Sequence, residues 1–180
     1  LVQKVLETFD KKKIRVLDLG TGSGAIGLSL AKERANWEVV CSDLSYEALK
    51  VTSKNMTRNA LDVSLVNSNW SSAFKNEYFD VIVSNPPYIN PSDPRVYSDG
   101  LKFEPKQALI SDSQGLYDIE RIVKETSEIL NNAGYLFIEH GYDQSDLVVS
   151  IFERCGFSQI RTFKDLNGDD RVCLGKLNRC

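Results

Sequence analysis

Short apolar runs alternate with helical spacings along this chain. IRVLDL (14–19), WEVVCS (37–42), DVSLVN (62–67), FDVIVS (79–84) and GYLFIEH (134–140) are compact runs rich in β-branched and aromatic residues, as buried strands are. Between them, AIGLSLAKER (25–34), SYEALKVTSKNMTRN (45–59), GLYDIERIVKETSEILN (115–131) and DLVVSIFERC (146–155) space their apolar residues at three and four, the mark of amphipathic helices. The first residues of the chain also read as helix. Ser45 stands where an N-cap is needed, and Gly156 where a helix stops. The Asn-Asn-Ala-Gly stretch at 131–134 reads as a turn. FSQIRTF (157–163) and RVCLGKL (171–177) are two more strands, and Asn167-Gly168 between them suits an antiparallel return.

This order predicts a mostly parallel sheet with helices on both faces. Seven strands ending in an antiparallel hairpin make a Rossmann-like α/β fold. Residues 85 to about 113 contain no convincing element, and a loop of that length in a compact domain is usually functional. No repeat or low-complexity segment interrupts the pattern.

Composition narrows the function classes. The 180 residues suffice for one domain with a full core, and 42% hydrophobic with 26% charged is ordinary for a soluble globular protein. No apolar run approaches bilayer length, and no signal peptide is visible. A net charge of −3 argues against a broad nucleic-acid-binding surface. The Lys11–Lys13 run reads as a solvated loop. Cys41, Cys155, Cys173 and Cys180 form no CxxC pair, so free thiols in a reducing cytoplasm are expected and a metal site is not. A cytoplasmic monomer, associated with neither membrane nor nucleic acid, is the expectation.

DLGTGSG (18–24) lies between the first strand and its helix. Gly20, Gly22 and Gly24, with Thr21 between them, permit backbone angles and approaches that a Cβ would block. A ligand can then lie against the main chain at the carboxyl edge of the sheet. The spacing is GxGxG, not the dinucleotide GxGxxG. Asp43, followed by Leu44, ends the second strand, where a carboxylate accepts the hydroxyl hydrogens of a ribose; capping the turn before the next helix is the alternative. Asn69 and Trp70 follow the third strand, where they would edge and wall an adenine ring; for Trp70, simple core filling is nearly as good an account. No basic phosphate clamp is visible, which fits S-adenosylmethionine better than NAD. Asp18 either faces the methionine end of that cofactor, directly or through water, or fixes the glycine turn.

SNPPYIN (84–90) ends the fourth strand in a rigid polar-aromatic tip. Such a tip suits methylation of a planar nitrogen, a carboxamide or an exocyclic amine. The lone pair of that nitrogen is delocalised and weakly nucleophilic. Two acceptors taking its N–H hydrogens orient it and stabilise the developing positive charge. The Asn85 side-chain oxygen and the Pro86 carbonyl are those acceptors, Pro87 adds stiffness, and Tyr88 offers a flat face. His140, the only histidine, ends the fifth strand; it reads as structural, and the chemistry does not require it as a base.

DLGTGSGAIGLSLA, SNW, VSNPPYI, FEPKQAL (103–109), Gly115-Leu116, EHGYDQ (139–144) and DLNGDDRVCLG (165–175) occur in the order found in protein-(glutamine-N5) methyltransferases that modify peptide chain release factors. Over essentially its whole length the chain resembles that family's catalytic region. The resemblance implies a class I methyltransferase fold. It also implies transfer from S-adenosylmethionine, leaving S-adenosylhomocysteine, to the glutamine of the Gly-Gly-Gln loop in class I release factors. Asn85, Pro86, Pro87 and Tyr88 would hold the amide, Asn85 also touching the cofactor. Asp43 would hold the ribose, Trp70 flank the adenine, and Gly20–Gly24 cradle the methionine portion. Phe103 and Glu104 would shape the substrate entrance, although the residues alone suit loop packing equally well. Family members usually carry a helical N-terminal domain and a Pro-Arg-x-Glu-Thr-like segment ahead of this region, and both are missing here. The expectation is therefore a single domain (1–180) that binds cofactor measurably and turns over a whole release factor weakly or not at all. Asn-Pro-Pro-aromatic also occurs in nucleic-acid adenine-N6 and guanine-N2 methyltransferases, an alternative that the acidic balance disfavours. A binding module without turnover is a further alternative, which the intact motifs disfavour.

Overall fold

Parallel pairing dominates the sheet, as continuous apolar strands require when both faces are covered. The computed structural model describes residues 1–9, 13–74, 78–93, 105 and 108–178. Its strands are β1 (Arg15–Leu19), β2 (Glu38–Asp43), β3 (Ser64–Asn67), β4 (Phe79–Ser84), β5 (Leu130–Glu139), β6 (Phe157–Lys164) and β7 (Asp170–Leu177). They form one sheet in the order β3-β2-β1-β4-β5-β7-β6. The strands from β3 across to β5 run parallel, whereas β7 is antiparallel to both β5 and β6. The helices are α1 (Val2–Thr8), α2 (Ala25–Glu33), α3 (Tyr46–Arg58), the single turn α4 (Asp112–Gly115), α5 (Tyr117–Ile129) and α6 (Ser145–Arg154). This is the fold expected for a class I methyltransferase.

The two-residue period of the strands sorts the core into two layers. Leu17, Leu19, Ile82, Leu136 and Ile138 face Ile119, Ile122 and Val123 of α5 and Val148, Ile151 and Phe152 of α6. Val16, Val39, Val81, Val83 and Phe137 face Val5 of α1 and Leu28 and Leu30 of α2, with Met56 of α3 packed at the margin. Each fully buried Leu, Ile or Phe contributes roughly 1.5–3 kcal/mol relative to exposure. The chain runs from β1 outward to β3, then crosses back to β4 on the other side of β1. The reversal opens a crevice at the carboxyl ends of β1 and β4, where open α/β sheets bind ligands.

The caps agree with the sequence. Ser45 Oγ accepts from the Ala48 amide at 3.2 Å, and Gly156 takes φ 83° as α6 ends. Asp165 and Asp169 close the β6–β7 return, with Gly168 at φ 89°. Two readings need correction. The Asn-Asn-Ala-Gly stretch is not a free turn but a bulge inside β5, between the pairs Phe79–Leu130 and Val81–Tyr135. Ala133 takes φ 63° there, and Asn131 Nδ2 donates to Asp80 Oδ1 at 2.9 Å. Pairing with β4 overrides a composition that locally favours a turn. The long stretch after β4 is also not featureless. Ile89 pairs with Ile110, and Ser113 and Gln114 adopt left-handed backbone within α4.

Among the described residues no helix is long and apolar enough to cross a membrane. Cys41, Cys155 and Cys173 are free thiols; Cys180, Lys11 and Lys12 lie outside the described residues. Burial pushes the Cys41 and Cys173 thiols up to about 12, so both act as packing groups.

Candidate active site

Asp18 is fully buried at the end of β1 and does two things at once. Its Oδ2 accepts from Thr21 Oγ1 at 2.6 Å and from the Gly27 amide at 2.9 Å, which fixes the turn between β1 and α2. Its Oδ1 is buried with no hydrogen-bond partner among the described residues. Burial raises the carboxyl from 3.8 to about 6; the Thr21 and Gly27 donors oppose the rise, and the Asp43 charge adds to it. The structural reading of Asp18 therefore holds for one oxygen, while the other keeps its acceptor capacity.

Gly24 opens α2, and Gly20 and Thr21 donate their amides to Ser42 O at 2.9 Å each. Gly22 takes φ 58°, and nothing lies within 4 Å of where its Cβ would stand, which leaves a cradle over the main chain. Gly27, which lies outside the glycine turn, is packed more tightly than Gly20, Gly22 or Gly24. A Cβ there would run into Cys41 Sγ and stand 3.0 Å from Asp18 Oδ2. Gly27→Ala should cost about 1–3 kcal/mol by overpacking, read as a lower urea midpoint.

At the end of β2, Asp43 Oδ2 accepts from the Gly22 amide and Oδ1 from the Ser45 amide, each at 2.8 Å. This is the turn-capping role. A carboxylate has about four acceptor sites, so both oxygens keep one for a diol. Asn67, which the sequence did not single out, donates to the carbonyls of Asp43 and Leu44 at 2.9 Å. Leu44 beside them is 67% exposed, an apolar group left in solvent at the proposed ribose position. Asn69 is exposed. Trp70 is half-buried against the core, with φ 47°, and its ring Cζ3 stands 3.0 Å from an added Cβ on Gly20. It fills the core margin and walls the glycine turn together. Glu125 of α5 holds this segment by accepting from Ser71 Oγ at 2.7 Å and from the Ser71 amide at 3.2 Å.

The tip after β4 is anchored from several sides. Buried Ser84 donates to Leu19 O at 2.8 Å, tying the ends of β4 and β1. Asn85 is exposed, Pro86 buried, and Pro87 and Tyr88 half-buried. The Tyr88 hydroxyl donates to Glu139 Oε1 at 3.2 Å. Burial, with the Glu139 charge beside it, raises the phenol above its usual value, so Tyr88 stays a neutral donor. The Tyr88 carbonyl accepts from Gln144 Nε2 at 3.0 Å. The tip thus joins EHGYDQ through both of its polar ends. A cleft of about 700 Å³ opens beside Tyr88, lined by Asn90, Asp93, Tyr142, Leu147 and Arg171 among others.

His140 is buried; its Nδ1 lies 2.8 Å from Gly141 O, and burial pushes its pKa down. A neutral, enclosed imidazole fits the structural role. Phe103 and Glu104 lie outside the described residues.

The crevice therefore gathers an open glycine cradle, a buried carboxylate oxygen with spare acceptor capacity, a diol-competent carboxylate, and an exposed carboxamide on a stiff tip. These residues fit S-adenosylmethionine: spare acceptor capacity on Asp18 suits an ammonium group, and the Gly22 cradle suits an extended chain.

A model of the methyltransferase small domain matches residues 2–98. The chain is 39% identical over 177 residues to a release factor glutamine methyltransferase of Salmonella typhimurium, covering 98% of this chain and 64% of that protein. It is 43% identical over 177 residues to one from Buchnera aphidicola subsp. Schizaphis graminum, again covering 98% and 64%. The chain thus spans a little under two thirds of the length of these curated relatives. Among solved structures, a release factor-specific protein-(glutamine-N5) methyltransferase from Alicyclobacillus acidocaldarius superposes with a TM-score of 0.60 at 26% identity, covering 99% of this chain and 90% of that one. The matched segment runs from α1 through the glycine turn, the Asp43 turn and the Asn85–Tyr88 tip, and by that match the chain belongs to the methyltransferase small domain family.

Proposed function

We propose that this chain carries the catalytic domain of a methyltransferase acting on the side-chain amide nitrogen of a glutamine, in the Gly-Gly-Gln loop of class I peptide chain release factors. The observation that carries the reading is the joining of the Asn85–Tyr88 tip to Glu139 and Gln144. The tip suits any planar nitrogen. The block it is bonded to, EHGYDQ, is one of those on which the resemblance to glutamine methyltransferases rests, and relatives bearing that name align over 98% of the chain.

S-adenosylmethionine, when bound, supplies a methyl group activated by its sulfonium. Asp43 holds the ribose hydroxyls through its two remaining acceptor sites, and the Gly20–Gly24 turn with Asp18 receives the methionine portion. Asn85 Oδ1 and the Pro86 carbonyl accept the two amide hydrogens of the substrate glutamine, aim its nitrogen and stabilise its developing positive charge. Tyr88 packs on the planar amide. The nitrogen gains the bond to the methyl carbon that the sulfonium sulfur gives up, leaving the thioether S-adenosylhomocysteine, and loses a proton. An N-methylated amide cation is acidic enough to release that proton to water, so His140 has no part in the step.

The test offers labelled S-adenosylmethionine with a release factor, its Gly-Gly-Gln glutamine→alanine variant, and adenine-containing DNA or tRNA in separate reactions. Label is expected in the first alone. Label in nucleic acid, or equal label in the alanine variant, would sink the proposal.

A further inference from the structure

We propose that Gln144 is a positioning residue for methyl transfer, a clamp on the Tyr88 main chain that fixes the acceptor tip. The inference rests on reading Asn85–Tyr88 as the acceptor site. Gln144 lies at the start of α6, 56 residues from Tyr88 in sequence, and is 7% exposed. Both of its amide hydrogens are used: Nε2 donates to Tyr88 O and to Gln114 O at 3.0 Å each. Its Oε1 accepts from the Gly141 amide at 2.7 Å. Two carbonyls and one N–H around a single carboxamide admit only this orientation. The side chain therefore reads three backbone segments at once: the tip, the α4 turn and the β5–α6 loop.

The α4 turn shows that the arrangement is enforced. Ser113 (φ 54°, ψ 52°) and Gln114 (φ 60°, ψ 30°) are left-handed without being glycine, and Gly115 follows at φ 82°. Such backbone persists only where its surroundings over-determine it. An added Cβ on Gly115 would collide with the Tyr88 carbonyl and stand 2.7 Å from Gln144 Nε2. Tyr88 is thus held at its hydroxyl by Glu139 and at the main chain by Gln144, while Gly115, lacking a Cβ, leaves room for the same carbonyl. The Pro86 carbonyl, the proposed second acceptor, lies two residues upstream. Freedom at Tyr88 becomes misaim at Pro86 and Asn85, and a displacement near 1 Å costs about a hundredfold in rate.

Gln144→Glu is the informative variant. A carboxylate there has no hydrogen to give and faces two carbonyls, so its pKa is pushed up; once protonated, its O–H restores one of the two bonds. Gln144→Asn is one methylene short and restores nothing at any pH. Single-turnover methyl transfer to the release factor at saturating cofactor, relative to the unaltered chain, should fall at least about tenfold for both variants at pH 8. It should recover toward pH 6 for Gln144→Glu alone. Cofactor affinity by calorimetry should stay within about twofold. The ¹³C resonance of the Tyr88 ring, assigned through Tyr88→Phe, should be displaced in both. An unchanged relative rate, a loss for Gln144→Glu that does not respond to pH, or cofactor affinity falling in step overturns the proposal. If the unaltered chain labels no acceptor, it is the functional reading that fails. The clamp is then decided by the Tyr88 resonance: displaced supports it, unmoved overturns it. If Gln144→Glu does not fold, Gly115→Ala presses on the same carbonyl and is read by the same rate, affinity and resonance.

Discussion

Asn85→Ala is expected to lower methyl transfer on the order of 10²–10³-fold while leaving cofactor affinity within severalfold. The magnitude is that of removing one preorganised group aimed at developing charge. The Asn85 side chain is exposed at the tip, so its loss leaves no cavity and no buried orphan. The anchors of the tip lie elsewhere, in Ser84 on Leu19 O and Tyr88 on Glu139. Asn85→Asp separates acceptor from carboxamide: it keeps an oxygen for the substrate N–H and should retain more activity than alanine. The measurement is single-turnover transfer of labelled methyl beside calorimetric titration with cofactor. Equal losses of rate and affinity would place Asn85 on the cofactor rather than on the acceptor nitrogen.

The parts legible in the sequence were those decided locally. Val16-Leu17 and Val81-Ile82-Val83 read as strand because both sheet faces are covered and each residue finds an apolar partner. The glycine turn was legible because GxGxG after a strand has few uses. The rest is decided by distant partners. Asn131 to Gly134 has the composition of a turn, but Asp80 and β4 draw it into a bulge. By sequence Asp43 suits a ribose ligand or a turn cap; its bonds to the Gly22 and Ser45 amides show the cap, and a diol would need only the lone pairs left over. Gly115, Glu139 and Gln144 were visible as letters in matching blocks. Their work on Tyr88 was not, because the contacts span tens of residues and no period marks them. Gly27 was hidden in a helix pattern, where only the approach of Cys41 explains why a methyl is excluded.

Asp18 should make both stability and cofactor affinity depend on pH, in opposite directions. Burial lifts its carboxyl from 3.8 to about 6 in the folded, ligand-free chain. A folded-state value above the unfolded one stabilises the protein while the group is protonated. That stabilisation is complete below about pH 4 and is lost as pH rises through about 6. The shift of roughly two units corresponds to about 3 kcal/mol. Asp18→Asn carries no charge and can still accept from Thr21 and Gly27, so it should escape the loss. Urea unfolding should show the variant gaining on the unaltered chain between about pH 4 and pH 7, most steeply near pH 6. Cofactor binding runs the other way. An ammonium beside Asp18 Oδ1 favours the ionised carboxylate, so affinity should rise about tenfold between pH 5 and pH 7 as the ionised fraction grows. Asp18→Asn should bind more weakly and with a flat profile. Equal affinity at both pH values in the unaltered chain would confine Asp18 to its bonds with Thr21 and Gly27, leaving Oδ1 without a role in the cofactor site.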